Sequence, residues 1–377
     1  DPEHAGVQGM LWITSPAATE VETLVLDWLA DLLDLPEAFR SASTGGGVIQ
    51  DSASSGTLVA ILAARERATE GLGNAEGLPS LDRTLTVYTS EHAHSSVEKG
   101  VRAAGLGSSS IRYVPVDGDF AMRPDALRAM VEEDVAAGAI PTIVVANVGT
   151  TSSTAIDPVG AIADVCEEFN VWLHVDAALA GTAAVLPELR WILDGSERAD
   201  SFVMNPHKWL LVNMDCSAFW VRERASLTSA LSIDPEYLRQ AATDSGSVID
   251  YRDWQLPLGR RFRALKLWFV LRMFGAEEIR RIVREHIRLT QLFASFVEAD
   301  PDFELTAPHP VNLVCFRHLG GEDANRRIMD TVNDSGEAFF THTVLDGVFT
   351  LRMAIGAERT EERHVRKVWE LIRASAP

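Results

Sequence analysis

The chain has 377 residues, of which 46% are hydrophobic, and a formal net charge of −20. That length and composition predict one large domain with a sizeable core and a second, smaller domain. The acidic balance argues against nucleic acid and anionic membranes as partners, and no apolar run of about 18 residues or secretory leader stands out.

Three cysteines, Cys166, Cys216 and Cys315, stand far apart, each within an apolar stretch and without CxxC spacing. This pattern is typical of buried thiols in a reducing compartment. We therefore expect a cytoplasmic protein.

The beginning of the chain predicts a helix behind a short leading segment. Residues 1–14 form this segment, which is atypical of the rest of the chain. Ser15 is a good helix N-cap, and Pro16 suits the first helical position, so a helix is predicted from residue 17 to about residue 33.

A glycine-rich loop that begins at Ser43 leads into a second helix, which Ser52, Ala53 and Ser54 open and which runs to about residue 67. Free N–H groups and the helix dipole favour an anion at such a helix start. The stretch matches neither GxGxxG nor GxxxxGK[ST], so it predicts a phosphate seat but not a nucleotide site.

From there, apolar strand patterns alternate with helical patterns, which predicts a mostly parallel sheet wrapped by helices. Sheets of this kind bind ligands at the carboxyl ends of their strands. The predicted strands are residues 85–89, 111–115, 142–147, 171–175, 202–204 and 218–221, and the predicted helices are residues 95–104, 124–136 and 158–169.

A long helical stretch then leads away from this α/β region, and a shorter α+β pattern comes after it. We therefore divide the chain into a leading segment, residues 1–14, a large domain, residues 15–265, and a small C-terminal domain, residues 266–377. The predicted elements of the last part are the long helix 260–299, strands 312–317 and 348–354, and helices 322–333 and 361–375.

Reactive or polar side chains follow four of the predicted strands: His94, Thr151, Asp176 and Lys208. Asp176 and His94 each have a structural and a functional interpretation. Asp176 either caps a helix or pairs with a protonated ring nitrogen of a ligand. His94 is either a hydrogen-bonded loop histidine or a ring that stacks on a flat ligand.

Lys208 lies between two predicted strands, where Pro206 takes the chain off the first of them. We expect the rings of His207 and Trp209 to crowd its ammonium. Partial desolvation would make the neutral amine accessible near neutral pH, the state that forms a Schiff base with an aldehyde. An ordinary loop lysine is the simpler alternative.

Together these features describe one ligand: planar, aromatic and phosphorylated, with a basic ring nitrogen and an aldehyde, as in pyridoxal 5′-phosphate. A metal site is the competing interpretation, because His92 and His94, or His174 and Asp176, have spacings that place each pair on one strand face. No HExxH motif or third clustered ligand completes such a site, so we expect no metal.

Six stretches, in order along the chain, resemble the group II pyridoxal-phosphate decarboxylases, and most closely the aromatic-L-amino-acid decarboxylases. They run over nearly the whole chain from about Val7. The stretches are GGVIQDSAS (46–54), AHSSVE (93–98), GTT (149–151), HVDAA (174–178), NPHKWLLVN (205–213) and DYRDWQLPLGRRFR (250–263).

The resemblance implies the type I fold of aspartate aminotransferase for the large domain, with a small α+β C-terminal domain, and a homodimer with the active site at the subunit interface. It implies that Lys208 forms the Schiff base, that Asp176 partners the pyridine nitrogen, and that His94 stacks on the ring. The remaining implied cofactor contacts are Ala53, Ser54, Asn205 and His207 around the phosphate, and Thr151 against the cofactor.

The implied reaction removes the carboxylate of an aromatic L-amino acid as carbon dioxide and leaves the amine. In the family, a tyrosine on a mobile loop protonates the Cα carbanion, and Tyr237 matches that tyrosine. Relatives with phenylalanine at this place tend to form aldehydes by oxidative decarboxylation. We therefore predict amine formation, with Lys208, Tyr237, Asp176 and His94 as catalytic residues.

Two features depart from the family pattern. Leu179 stands where the family usually has an aromatic residue, and residues 1–14 resemble only a remnant of the family's helical N-terminal segment, which contributes to the substrate pocket. The expected substrate-binding residues are Met10, Trp12, Met214, Leu258 and Gly259.

Three alternatives stay open. A related decarboxylase could act on glutamate, histidine or a diamine, although no arginine dedicated to an acidic side chain is evident. The product could be an aldehyde rather than an amine. A metal-dependent hydrolase is the remote alternative.

Overall fold

The computed structural model describes residues 7–233 and 248–377. Its main feature is a seven-stranded sheet with the strand order β1-β7-β6-β5-β4-β2-β3. All neighbouring strands from β6 to β3 are parallel, whereas β7 runs antiparallel to both β6 and β1. The strands are Gly46–Gln50 (β1), Leu85–Ser90 (β2), Ile111–Val114 (β3), Ile140–Asn147 (β4), Trp172–Asp176 (β5), Ser201–Met204 (β6) and Ser217–Val221 (β7).

Both faces of this sheet are covered by apolar side chains, which explains why its central strands read as nearly continuous apolar runs. Val144 and Val175 belong to one core cluster, and Val145 and Val203 belong to the cluster on the other face. Because every residue of β5 and β6 is buried, side chains become accessible only where the strands end.

Five helices of this part of the chain, α1, α2, α4, α5 and α6, lie close to their predicted positions, whereas the short helices α3, α7 and α8 were not predicted. Proline stands at the start of α1 and α5, where its missing N–H costs no hydrogen bond. The helices are Pro16–Leu33 (α1), Ala53–Ala68 (α2), Leu72–Ala75 (α3), Ser96–Ala103 (α4), Pro124–Ala136 (α5), Val159–Phe169 (α6), Pro206–Trp209 (α7) and Arg224–Leu231 (α8).

One prediction was wrong: the glycine-rich stretch after Ser43 is not simply a loop, because Gly46–Gln50 forms the buried strand β1. Two glycines make this possible through close packing. A Cβ at Gly47 would lie 2.7 Å from Nε1 of Trp220, and a Cβ at Gly46 would lie 3.1 Å from the Trp254 ring. The missing side chains therefore make room for tryptophans and do not signal a flexible backbone.

The C-terminal part forms a separate four-stranded antiparallel sheet with the order β10-β11-β9-β8. Its core includes Phe293, Phe316 and Trp369, whose rings pack edge to face. The elements are Phe303–Leu305 (β8), Leu313–His318 (β9), Thr341–Leu345 (β10), Val348–Ala354 (β11), Glu322–Asp334 (α10) and Glu362–Ser375 (α11).

The long helix α9, Ala264–Ala299, joins the two parts and is kinked at Gly275, where φ is +69°. Leu267 packs in the core of the large sheet, whereas Phe293 packs in the core of the small sheet. The division at residue 265 stays a prediction, and the packing of α9 favours a boundary within this helix.

Among the helices of the described residues, none combines the length and the apolar character that a membrane crossing requires.

Candidate active site

A cleft of about 390 Å³ lies at the carboxyl ends of β4, β5 and β6. Parallel strands present their carboxyl ends at one edge of the sheet, so residues distant in sequence meet there. The cleft is lined by Ser52, Ala53, Ser54, His94, Asn147, Gly149, Thr150, Thr151, Asp176, Ala178, Leu179, Asn205, His207, Lys208, Met214 and Arg352. All eight predicted cofactor contacts therefore lie around one space, although their roles stay predictions.

Lys208 projects into this cleft from the four-residue turn α7. The residue keeps exposed surface because the cleft is open, but the protein atoms around the ammonium desolvate it and lower its pKa, while the negative charge of Asp176 acts in the opposite direction. This is the direction expected from the sequence, but one predicted cause was wrong. Trp209 does not line the cleft, because its indole is 1% exposed and hydrogen-bonds His286 instead.

Asp176 ends β5 and borders the cleft, although the residue is only 7% exposed. Its Oδ1 accepts a 3.0 Å hydrogen bond from the backbone N–H of Ala178. The carboxylate thus stabilises the local turn and also faces the cleft. A fixed carboxylate of this kind suits a protonated ring nitrogen.

The two cleft histidines are held in one tautomer by backbone groups. Ser96 N–H donates to Nδ1 of His94 at 3.1 Å, and Cys216 N–H donates to Nδ1 of His207 at 2.9 Å. In a neutral ring the other nitrogen, Nε2, must then carry the proton. Desolvation, and next the charge of Lys208, lowers the pKa of His94, and desolvation lowers the pKa of His207.

Several residues that line the cleft offer hydrogen-bond donors. The 16-residue helix α2 begins there, with Ser52 Oγ accepting from Ser55 N–H at 3.3 Å. Asn205 Oδ1 accepts from the buried Ser217 hydroxyl at 2.6 Å, so the amide nitrogen of Asn205 stays available as a donor. Helix N–H groups, an amide and an imidazole N–H form a donor set that fits a phosphate.

The cleft is also lined by Arg352, which the sequence analysis missed. It comes from β11 of the small sheet, and its guanidinium donates to the carbonyl of Ser152 at 2.9 Å and to the carbonyl of Thr151. Among residues 7–233 and 248–377, no carboxylate pairs with it. Burial lowers its pKa. The available signal was an arginine inside a largely apolar strand.

Asn147 is a second residue that the sequence analysis missed. It ends β4 in register with Asp176, and its backbone N–H donates to Asp157 at 2.7 Å. Asp157 is 1% exposed, and burial raises its pKa to about 6. The position of Asn147 directly after an apolar run could have identified it.

Of the five predicted substrate-binding residues, only Met214 lines the cleft that contains Lys208. Met214 lines the cleft and is 73% exposed, and it also borders a neighbouring cleft with Phe262 and Phe269. Within this single chain, the other four candidates do not line the cleft that contains Lys208. They are Met10, Trp12, Leu258 and Gly259.

The predicted catalytic residue Tyr237 lies outside the described residues, so its role stays a prediction.

The alternative of a metal site concerned two pairs of residues. Of the pairs considered for a metal, His174 is fully buried beneath the cleft, and its Nδ1 hydrogen-bonds Ser201 Oγ at 2.8 Å. Among the residues that the structure describes, no three or more His, Cys, Asp or Glu side chains are grouped so that they could hold a metal ion.

The comparisons with known proteins point to one family. The family model described as pyridoxal-dependent decarboxylase conserved domain matches residues 2–319. Phenylacetaldehyde synthase of Arabidopsis thaliana is 47% identical over 98% of this chain and 76% of its own length, and the aromatic-L-amino-acid decarboxylase of Sus scrofa is 48% identical over 98% and 77%. A crystal structure of Oryza sativa TDC with PLP and tryptamine superposes with a TM-score of 0.94 at 42% identity, covering 99% of this chain and 79% of the other.

Proposed function

The chain belongs to the pyridoxal-dependent decarboxylase family, and on that premise we propose that it converts an aromatic L-amino acid into the corresponding amine and carbon dioxide. The chain is a carboxy-lyase of the type I fold, and its cofactor is pyridoxal 5′-phosphate. The observation that carries the proposal is that Lys208 and Asp176 border the same cleft.

The donor set of the cleft fits the two ends of this cofactor. Ala53 and Ser54 at the start of α2, with the side chains of Asn205 and His207, would hold the phosphate. Lys208 would bind the aldehyde, because desolvation favours its neutral amine. When bound, the cofactor supplies an electron sink for the electron pair that remains as carbon dioxide leaves.

The chain's own residues would orient the reactants around that group. Asp176 would keep a proton on the ring nitrogen, because its carboxylate is fixed by the Ala178 N–H and faces the cleft. His94 would present its Nε2–H toward the ligand, since its Nδ1 is occupied by Ser96 N–H. Thr151 would lie against the cofactor, and Arg352 holds its segment through the carbonyls of Thr151 and Ser152.

An aromatic substrate is supported by the apolar side chains at the cleft, Leu179 and Met214, and by the names of the relatives. A decarboxylase for glutamate is less well supported, because Arg352 already donates to backbone carbonyls. The amine is favoured over the aldehyde by the match of Tyr237 to the family's tyrosine. Overall identity does not separate these products, since relatives with the two kinds of name are 47% and 48% identical.

A homodimer is also part of the proposal, as is a cytoplasmic location. Leu256, Leu258, Phe269 and Met273 are each at least 48% exposed, and exposed large apolar side chains in such number favour a subunit interface. In a homodimer, Leu258 and Gly259 would line a substrate pocket that the second subunit completes.

The proposed cytoplasmic location is supported by the three cysteines, which are buried free thiols, as expected in a reducing compartment.

Borohydride reduction in the presence of pyridoxal 5′-phosphate, followed by peptide mass spectrometry, tests whether Lys208 binds the aldehyde of the cofactor. We expect the pyridoxyl group on Lys208 in the wild type and in Lys266→Ala, and its loss in Lys208→Ala. Lys266 is a suitable control because it lies in the neighbouring cleft. A pyridoxyl group on another lysine of the wild type would refute the assignment.

A substrate panel then tests the reaction itself. Tryptophan, tyrosine, DOPA, phenylalanine, glutamate and histidine should be compared by release of carbon dioxide, amine, aldehyde and ammonia. Equimolar amine and carbon dioxide from an aromatic substrate are expected. A preference for glutamate or histidine, or aldehyde as the main product, would overturn the finer proposal.

A further inference from the structure

The turn that carries Lys208 is too short to be stable by itself. α7 has only four residues, Pro206–Trp209, and isolated helices of this length are not stable in water. Its backbone hydrogen bonds include Lys208 N–H to the Asn205 carbonyl at 2.9 Å and Leu210 N–H to the Pro206 carbonyl at 3.1 Å. The position of Lys208 therefore depends on packing around the turn.

The main anchor of this turn is Trp209, the residue directly after the lysine. Its indole is 1% exposed, and its Nε1–H donates to Nδ1 of His286 at 3.0 Å. The two rings are nearly parallel, with an interplanar angle of 25° and a centroid distance of 6.5 Å. His286 lies on the long helix α9 and is also 1% exposed.

His286 continues the connection into the small domain. Because its Nδ1 accepts from the indole, Nε2 carries the proton of the neutral ring, and this nitrogen lies 3.1 Å from the Ala357 carbonyl. Ala357 comes shortly after β11. The approach is tight, since a Cβ at Gly356 would lie 3.2 Å from Cδ1 of Trp209.

β11 and the segment directly after it therefore contact the site at two separated points. Near its end, Ala357 is connected through His286 to the residue after Lys208. Within the strand, Arg352 donates to the carbonyls of Thr151 and Ser152, and Thr151 lines the cleft. The Trp209–His286 hydrogen bond is buried, and both ring nitrogens of His286 have a partner, which favours one arrangement of the groups that the ring joins.

We propose that His286 is a positioning residue for Lys208: by joining Trp209 to Ala357, it fixes the lysine-bearing turn relative to the part of the small domain whose Arg352 also holds the carbonyls of Thr151 and Ser152. This inference rests on the proposed function. The ordinary alternative is a buried histidine that contributes only to stability. The positioning role predicts that loss of His286 changes the amide exchange of the turn and kcat at temperatures far below unfolding. A role in stability alone predicts no such change.

The test compares His286→Phe and Trp209→Phe, which keep aromatic bulk but break the connection. In the cofactor-free protein, we expect amide hydrogen exchange of the segment 205–213 to increase about tenfold or more, with helix α4 unchanged. In the loaded enzyme, we expect kcat to fall about tenfold while KM changes less than about twofold. The double variant should be no worse than either single variant, because both remove the same connection.

Two further variants separate positioning from stability. Trp369→Phe lowers stability within the small-domain core, where Trp369 packs on Phe293, and it should leave both the exchange of 205–213 and kcat unchanged. His286→Gln retains an acceptor and a donor at similar spacing and should restore at least half of the lost kcat. The inference is wrong if His286→Phe matches Trp369→Phe in exchange and in kcat.

Failure of the proposed function gives a different result. If the wild type does not bind pyridoxal 5′-phosphate at Lys208, the function is refuted. The exchange experiment on the cofactor-free protein still decides whether His286 holds the turn.

Discussion

Ser217 Oγ donates a 2.6 Å hydrogen bond to Oδ1 of Asn205, and it does so from β7, the strand that runs opposite to its neighbours. Both residues are at most 2% exposed. The bond determines which end of the Asn205 amide faces the cleft, because the oxygen is already occupied.

Ser217→Ala should therefore weaken cofactor binding, because the Asn205 amide can then rotate and present its oxygen to the phosphate. We expect Kd for pyridoxal 5′-phosphate to rise about tenfold, equivalent to about 1.4 kcal/mol. Fluorescence titration of the cofactor-free protein measures it. Asn205→Ala should show a similar loss, and combining the two changes should add little. Fully additive losses would show that the two residues act separately.

Asp176→Asn should retain the shape of the side chain but remove its charge. Without the carboxylate, we expect kcat/KM to fall about 10³-fold, or about 4 kcal/mol of transition-state stabilisation. The pKa of Lys208 should fall further, since the negative charge of Asp176 raises it. The pH dependence of Lys208 acylation in the cofactor-free protein measures that second effect. Asp164→Asn, at an exposed carboxylate, is the control and should change neither quantity.

Tyr237→Phe should slow amine formation and increase aldehyde and ammonia, because the variant lacks the hydroxyl that the family resemblance assigns to protonation of Cα. Product analysis with an aromatic substrate, comparing amine with aldehyde at equal carbon dioxide release, checks this. Tyr113→Phe is a suitable control, since Tyr113 is 51% exposed and lies outside the cleft. An unchanged product ratio would count against the assigned role of Tyr237.

His174 should make stability depend on pH. Burial lowers the pKa of its ring from 6.5 to about 4, whereas the unfolded chain restores the ordinary value. The unfolded state thus binds more protons between these values, so stability is full above about pH 6.5 and is lost as the pH falls toward about 4, by up to about 3 kcal/mol. Thermal unfolding of the cofactor-free protein across this range measures the slope.

The matched variant for that measurement is His174→Asn, which keeps an acceptor near Ser201 but does not titrate. It should flatten the slope between pH 6.5 and 4. Equal slopes in the wild type and His174→Asn would assign the pH dependence to other groups.

Removing only one partner of the buried ion pair between Arg260 and Glu22 should strongly reduce the free energy of unfolding. Their side chains are 1% and 3% exposed, and the guanidinium also donates to the carbonyls of Gly9 and Ile49. Arg260→Met should reduce the free energy of unfolding by about 3–5 kcal/mol, because a buried carboxylate loses its partner. The exposed pair Arg284 and Glu188 is the control, and Arg284→Met should cost at most about 1 kcal/mol. Denaturant unfolding measures both changes, and similar losses would contradict the burial argument.

Much of the site was predictable because parallel strands bring their carboxyl ends together. Asp176 and Lys208 come after apolar runs that could only be buried strands, so their meeting could be inferred from the alternation of strands and helices. The strand β1 was not predictable in this way. Its glycines read as a loop signal, and only the packing of Trp220 and Trp254 explains them.

The direction in which a side chain points was harder to predict than its place along the chain. Trp209 was expected beside the ammonium of Lys208, but it turns into the core because His286 offers the indole N–H a buried acceptor. Arg352 was overlooked because its contacts join residues about 200 positions apart, at the carbonyls of Thr151 and Ser152. No local pattern encodes such pairings.

The wall that Arg352 supports has a practical consequence for dissecting this enzyme into fragments. The family match ends at residue 319, yet the donor for the Thr151 and Ser152 carbonyls comes from residue 352. A recombinant fragment cut at the end of the matched region would retain Lys208 and Asp176 but would lack Arg352, which lines the same cleft. A fragment that keeps every lining residue, and the carbonyl that His286 contacts, therefore has to extend through Ala357.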